Sequence, residues 1–283
     1  MRTFGLVVNR HLAAPVVRPV VEEMLARLDP AGVRLVMLGN GADLALPVEA
    51  AADAERVEMV IALGGDGTVL SAARWAAPRE VPVLGIRMGR LGFLSEVEPS
   101  GISTALGKCL CGDYVLEPRA MLEAAIIRET GRVEAGVALN DLVITKGTLL
   151  RPVSTEVRVN DEPVASFLGD GVILATPTGS TAYSLSAGGP ILTPDVQGII
   201  ITPLCAHSIV ARTVVVGPNN VVRVTLLSAR KGAILVLDGQ ESHNLAHGEA
   251  VVARQAARPA LLIRLRPWSF FEVLRERLEK RGS

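Results

Sequence analysis

The sequence predicts an α/β N-terminal domain with an open parallel sheet, an all-β, sandwich-like C-terminal domain, and a closing helix that returns to the first domain. Three observations predict it. Up to about residue 111, short apolar β-branched runs alternate with helical stretches, the pattern of a parallel sheet covered by helices. From about Gly112 the period changes to many short strands separated by Gly and Pro, the pattern of packed antiparallel sheets. After a last strand at 261–265, residues 267–278 read as an amphipathic helix. The expected domains are 1–111 completed by 258–283, and 112–257.

In order, residues 3–8 form the first strand. Residues 15–28 read as a helix with Pro15 at its start and Val17, Val21, Met24 and Leu28 on one face. Asp29-Pro30-Ala31-Gly32 stops it. Residues 33–38 give a second strand, 48–56 a short helix and 57–63 a third strand. Residues 68–77 read as a helix stopped by Pro78, and 81–86 as a fourth strand. The glycine-rich run 87–94 lies at the same sheet edge as Asp66, either as a plain connection or as a wall of a nucleotide site. Residues 100–110 read as a helix leaving the first domain. Beyond Gly112, 114–128 and 133–145 are strand-like about a turn at 129–132, and 155–167 reads as a hairpin about Asn160-Asp161-Glu162-Pro163. Further strands are expected at 171–175, 198–202, 213–216, 221–227, 233–237 and 250–253. On the closing helix Phe271, Leu274 and Leu278 share the face expected to pack on the first domain.

With 283 residues, 49% hydrophobic and 20% charged, the chain holds real cores and is not disordered. Lys+Arg and Asp+Glu are both 29, which argues against a nucleic-acid binder. The three cysteines, Cys109, Cys111 and Cys205, make neither a disulfide framework nor a four-ligand zinc site. No run of about 18 apolar residues suggests a membrane span, and no leader pattern opens the chain, so a cytoplasmic location is expected.

The chain is organised around Leu63-Gly64-Gly65-Asp66-Gly67-Thr68. It places Asp66 on a tight turn after a strand and just ahead of a helix N-terminus. Glycines there permit positive φ and close approach of a phosphate, and the helix terminus offers unpaired N–H groups and partial positive charge. Read blandly, this is a βα turn with a capping Asp; read for function, the carboxylate acts on a substrate hydroxyl beside a phosphate. A second stretch, 169–190, holds an apolar strand and then six Ser and Thr residues among glycines, groups suited to phosphate and ribose oxygens. Asn140-Asp141 adds an amide and a carboxylate for base edges and ribose hydroxyls.

In that order, Gly64-Gly65-Asp66-Gly67-Thr68, Asn140-Asp141, Gly169-Asp170-Gly171 and the run from Thr176-Pro177-Thr178-Gly179 to Gly188-Gly189-Pro190 closely resemble the NAD kinases, as do 202–208, Asp238-Gly239-Gln240 and the closing helix. The likeness runs from Val57 nearly to the end. It implies transfer of the γ-phosphoryl of ATP to the 2′-hydroxyl of the adenosine ribose of NAD, with a divalent metal, Mg or Mn, and a homodimer or homotetramer in which a neighbouring subunit supplies some contacts. It implies Asp66 as base, Gly67 at the phosphates, and Asn140 and Asp141 at the adenosine. Thr181, Ala182, Tyr183, Ser184, Leu185 and Ser186 would line the NAD pocket. Asp170, Cys205 and Gln240 would complete it, and Arg151 matches a basic position of some members. Where relatives often carry a basic residue just before Gly169, this chain has Leu168, so that one nucleotide contact does not carry over from the resemblance.

Gly-x-x-x-x-Gly-Lys-Ser/Thr and a complete Gly-x-Gly-x-x-Gly are both absent, excluding P-loop and dehydrogenase fingerprints. His243 and His247 have helical zinc spacing but fall in an expected hairpin and lack the accompanying glutamate. Cys109 and Cys111 read as buried thiols, and Trp75 and Trp268 as core. Two alternatives remain beside an NAD kinase. One is a lipid or sugar kinase sharing Gly-Gly-Asp-Gly, which would need an apolar entrance. The other is a non-catalytic dinucleotide sensor, which would not need Asp66.

Overall fold

A computed structural model of the chain describes residues 2–39, 46–51, 56–89, 92–147, 152–208, 211–228, 232–267 and 269–279. Two compact units emerge, Met1–Pro118 with Ala260–Ser283, and Arg119–Pro259.

The first unit opens with β1 (Arg2–Val8), α1 (Ala14–Leu28), β2 (Val33–Met37), β3 (Glu49–Ala50), β4 (Met59–Gly64), α2 (Asp66–Ala76), β5 (Val83–Arg87), α3 (Ile102–Cys111) and β6 (Val115–Arg119). β1 lies between β2 and β4, with β5 beyond β4, all parallel. Val60, Ile61, Ala62 and Leu63 of β4 are fully buried, as a central strand covered on both faces requires. α1 buries the face set by its 3.6-residue period, Val17, Val21, Met24 and Leu28, and α3 adds Ile102, Leu106 and Cys109 to the same core. Each such aliphatic side chain contributes about 1.5–3 kcal/mol relative to exposure.

Several expectations for this unit are corrected. The helix expected at 48–56 is not there in the described part: Glu49 and Ala50 pair in parallel with Val36 and Met37, because an open sheet edge overrides the helix preference of Glu and Ala. α2 begins at Asp66 itself, two residues before its expected start, since the acidic side chain is favourable in a first helical turn. Cys111 is exposed while Cys109 is buried; the two lie on different faces of α3. Trp75 is only half-buried, with the Arg79 guanidinium 4.4 Å from its ring centroid.

The second unit contains β7 (Leu122–Arg128), β8 (Gly131–Ala138), β9 (Asp141–Lys146), β10 (Val153–Val159), β11 (Glu162–Gly169), β12 (Gly171–Ala175), a short α4 (Tyr183–Ser186), β13 (Ile199–Leu204), β14 (Val214–Val216), β15 (Val222–Ser228), β16 (Ala233–Leu237), β17 (Glu241–Leu245) and β18 (Ala250–Gln255). Among the described residues they form two six-stranded sheets, β11-β10-β15-β18-β7-β8 and β14-β13-β12-β9-β16-β17. The strand period of two sorts the side chains. Leu142, Ile144, Val172, Leu174 and Leu235 meet Leu122, Ile126, Val224 and Val251 of the other sheet in one core. Val143, Ile173 and Ile200 point the other way and are covered by Ala187 and Leu192 from the segment after β12. The β10–β11 hairpin turns on Asn160 and Asp161, with φ of 49° and 65°, the left-handed pair that tight hairpins favour.

The chain then returns to the first unit as β19 (Ala260–Arg264) and α5 (Phe270–Glu279), giving the order β3-β2-β1-β4-β5-β19-β6. β19 is parallel to β5, and the buried Arg264 fastens it through Glu96 at 3.1 Å and Glu117 at 2.6 Å. The expected face of α5 is rotated: Phe271 is 67% exposed, whereas Phe270 is buried, its ring centroid 5.9 Å from that of Phe93. Trp268, Arg151 and the side chain of Leu278 lie outside the described residues. Among the described residues no helix is long and apolar enough to cross a membrane.

Candidate active site

In the first unit the site is built at the carboxyl end of β4. Gly65 caps α2 in extended conformation, φ −97° and ψ −171°, with open space where a side chain would stand. Neither Gly64 nor Gly65 takes positive φ; the glycines serve close approach instead, since a Cβ at Gly64 would overlap the Thr68 side chain. Asp66 is half-buried at the first turn of α2. Its Oδ2 accepts the Phe93 N–H at 3.0 Å and its Oδ1 the Leu94 N–H at 3.1 Å. Nη2 of Arg277 donates to Oδ2 at 3.2 Å. Gly92 sits so close that any Cβ there would overlap the carboxylate. The result is a directed carboxylate beside an exposed helix N-terminus, an arrangement able to orient a hydroxyl next to an anionic group.

In the second unit Asn140 and Asp141 stand where β8 passes into β9. Asp238, buried at the end of β16, accepts the N–H groups of Leu139 at 3.1 Å, Asn140 at 2.7 Å and Asp141 at 3.2 Å. Its own N–H returns to Asp141 O at 2.9 Å. Asp141 is buried, and its carboxyl is raised to about 7, first by burial and then by the charge of Asp238. The hydroxyl-rich loop docks on the same turn. Thr176 N–H reaches Asn140 O at 2.9 Å, Thr176 Oγ1 donates to Leu139 O at 2.6 Å, and Gly179 lies where a Cβ would overlap the Asn140 backbone.

The loop's hydroxyls divide into two sets. Ser180, fully buried, donates to Pro177 O at 2.6 Å and accepts Leu192 N–H at 3.0 Å; Ser184, also buried, pairs with Thr202 Oγ1 at 3.2 Å. These hold the loop's shape. Thr181, Ala182 and Leu185 are half-buried, and Tyr183 and Ser186 are exposed. Asp170 is tied to Lys146 Nζ at 2.6 Å. Cys205 is exposed with φ of 45°, Gln240 is exposed beyond β16, and Gly67 is exposed on α2.

Three parts of the arrangement escape sequence reasoning. Arg277 lies 211 positions from Asp66, with no local signal linking them. Gly92 to Leu94 fall in the glycine-rich run noted above, but which groups they hold does not follow from sequence. Asp238 belongs to the Asp238-Gly239-Gln240 run; its carboxylate between two strands is the one available clue. His243 places Nε2 3.0 Å from Ala135 O, and among the described residues no three His, Cys, Asp or Glu side chains gather as a metal cage.

Residues 42–114 match the family model of the ATP-NAD kinase N-terminal domain, and residues 139–265 that of the ATP-NAD kinase C-terminal domain. The NAD kinase of Heliobacterium modesticaldum is 40% identical over 282 residues, 99% of each chain. That of Moorella thermoacetica is 39% identical over 286 residues, 100% of this chain and 91% of the relative. A yeast NADH kinase complexed with NADH shares the fold with a TM-score of 0.88 at 24% identity, covering 100% of this chain and 89% of that one. An Archaeoglobus fulgidus NAD kinase in complex with ATP gives a TM-score of 0.73 at 23% identity, over 97% and 99% of the two chains. Two domain matches in order and full-length identity near two residues in five leave one conclusion: the chain belongs to the NAD kinase family of phosphotransferases.

Proposed function

We propose that the chain transfers the γ-phosphoryl of ATP to the 2′-hydroxyl on the adenosine side of NAD, yielding NADP. What carries the reading is the Asp66 carboxylate, directed by backbone N–H groups beside the open Gly65 end of α2. Phosphoryl transfer through a loose transition state needs little covalent help from the protein; it needs a placed acceptor oxygen and spread charge. Asp66 orients and deprotonates the acceptor hydroxyl, and Gly67 lies at the phosphates. Asn140 and Asp141 hold the adenosine; Thr181 to Ser186, Asp170, Cys205 and Gln240 complete the NAD pocket, part of it from a neighbouring subunit of a homodimer or homotetramer. Arg151 keeps its suggested role from sequence alone. In this reading 1–111, completed by 258–283, is the nucleotide-binding domain and 112–257 the NAD-binding domain.

A divalent ion, Mg²⁺ or Mn²⁺, fits this scheme without a protein cage, because Mg²⁺ keeps most of its waters and takes one or two carboxylates plus substrate phosphates. Bound with ATP, it would neutralise charge on the phosphate oxygens. The free thiols of Cys109, Cys111 and Cys205 fit a reducing compartment, and we place the enzyme in the cytoplasm.

The test is the purified protein with ATP, Mg²⁺ and NAD, the product read by an NADP-specific dehydrogenase. Asp66→Asn is expected to keep its affinity for NAD and to turn over about 10²- to 10⁴-fold more slowly. A fully active Asp66→Asn removes Asp66 from the role.

A further inference from the structure

Asp66 is anchored by the last helix of the chain as well as by a neighbouring loop. Arg277 Nη2 lies 3.2 Å from Oδ2. The same guanidinium sits 5.5 Å from the ring centroid of Phe93, whose N–H donates to that oxygen. The Phe93 ring in turn packs on buried Phe270, about two turns before Arg277 on the same helix face. Carboxylate, loop and helix therefore form one cluster, closed by an ion pair, a cation–π contact and a ring contact. Gly92 lets the loop lie directly on the carboxylate.

We propose that Arg277 is a positioning residue of the phosphoryl transfer: it fixes the direction of the Asp66 carboxylate and keeps the 92–94 loop seated on it. The inference rests on the reading of Asp66 as the group that orients the acceptor hydroxyl. A carboxylate in the first turn of a helix has several rotamers open to it, and the transfer accepts only a narrow range of oxygen positions. Two backbone donors restrain the group from one side. Arg277, reaching Oδ2 from α5, supplies a further restraint. A purely structural role for Arg277 fits less well. The helix is already fastened by buried Phe270, the Arg277 side chain is 34% exposed, and its Nε is buried with no hydrogen-bond partner among the described residues. The guanidinium is thus placed for Asp66 at the expense of its own full satisfaction.

The experiment compares full-length Arg277→Ala, Arg277→Lys and Asp66→Asn with the unsubstituted chain, using ATP, Mg²⁺ and NAD, with thermal unfolding alongside. A half-exposed ion pair contributes little to stability, so folded variants are expected. Arg277→Ala is expected to lower kcat by about ten- to a hundredfold, the scale of a small misplacement, with KM for both substrates within about twofold. Arg277→Lys, which keeps the charge but not the planar fork, is expected to fall between. An unchanged or raised kcat, or a change confined to KM, overturns the inference. If Arg277→Ala does not fold, Arg277→Lys decides: kcat at the unsubstituted level overturns the positioning role, and a fall in kcat with KM and melting temperature unchanged supports it. Full activity in Asp66→Asn defeats the underlying reading of Asp66, whereas an inactive Asp66→Asn beside a fully active Arg277→Ala defeats only the positioning role.

Discussion

The carboxylate of the first unit and the carboxylates of the second are held in opposite ways. Asp66 is half-buried and takes its partners from remote parts of the chain, the 92–94 loop and the last helix. Asp141 and Asp238 are buried at the ends of adjacent strands, locked within one sheet by the Asp141 N–H donating to the Asp238 carboxylate and the Asp238 N–H donating to Asp141 O. The difference separates two kinds of vulnerability. A change around Asp66 disturbs a direction and is felt in turnover. A change around Asp238 leaves buried donors without acceptors and is felt first in folding.

The largest expected effect on stability follows from Asp238→Ala. It strips the acceptor from the N–H groups of Leu139, Asn140 and Asp141; with each unsatisfied buried donor worth about 1–3 kcal/mol, a loss of about 3 kcal/mol or more is expected. Denaturant unfolding checks it, and an unchanged midpoint would show that the turn is held by its strands alone.

Next comes pH. An aspartate in an unfolded chain titrates near 3.9, whereas Asp141 in the fold is raised to about 7 by burial and by Asp238. Between those values the folded chain binds more protons, so this group's contribution to stability is complete below about 4 and is lost as pH rises through about 7. Asp141→Asn removes that decline. Denaturant unfolding of both proteins between about pH 4 and 7 checks it: the unsubstituted chain should lose stability with rising pH more steeply than Asp141→Asn, and equal slopes would show that Asp141 is not the group responsible.

Gly92→Ala sharpens the contrast from the other unit and is expected to cost least in stability. The added Cβ overlaps the Asp66 carboxylate, the end of a side chain that can change rotamer, so about 1 kcal/mol is the expected loss. Turnover, by contrast, should fall about tenfold or more, because the carboxylate leaves its direction. A variant with normal kcat would mean that the loop and Asp66 are not coupled in the reaction.

Much of this was legible from sequence where the signal is periodic. The α1 face of Val17, Val21, Met24 and Leu28 is buried as its spacing requires, and β12 and β16 fall at the expected residues because each is a short continuous apolar run bounded by turn residues. The short strand β3 was not legible, since two residues on a sheet edge carry no period of their own. Nor was the orientation of α5, where Phe270 and Phe271 are equal candidates until a partner surface selects one.

By itself the sequence determined the two kinds of unit, the order of their strands along the chain, and the motifs that mark the family, all of which depend on residues near one another. Only the tertiary structure decided what Asp66 touches. Setting β19 beside β5 returns the chain end to the edge where β4 delivers the carboxylate, so a residue 211 positions away becomes a neighbour. Contacts of that range follow from sheet order and packing, which no local period of side chains encodes.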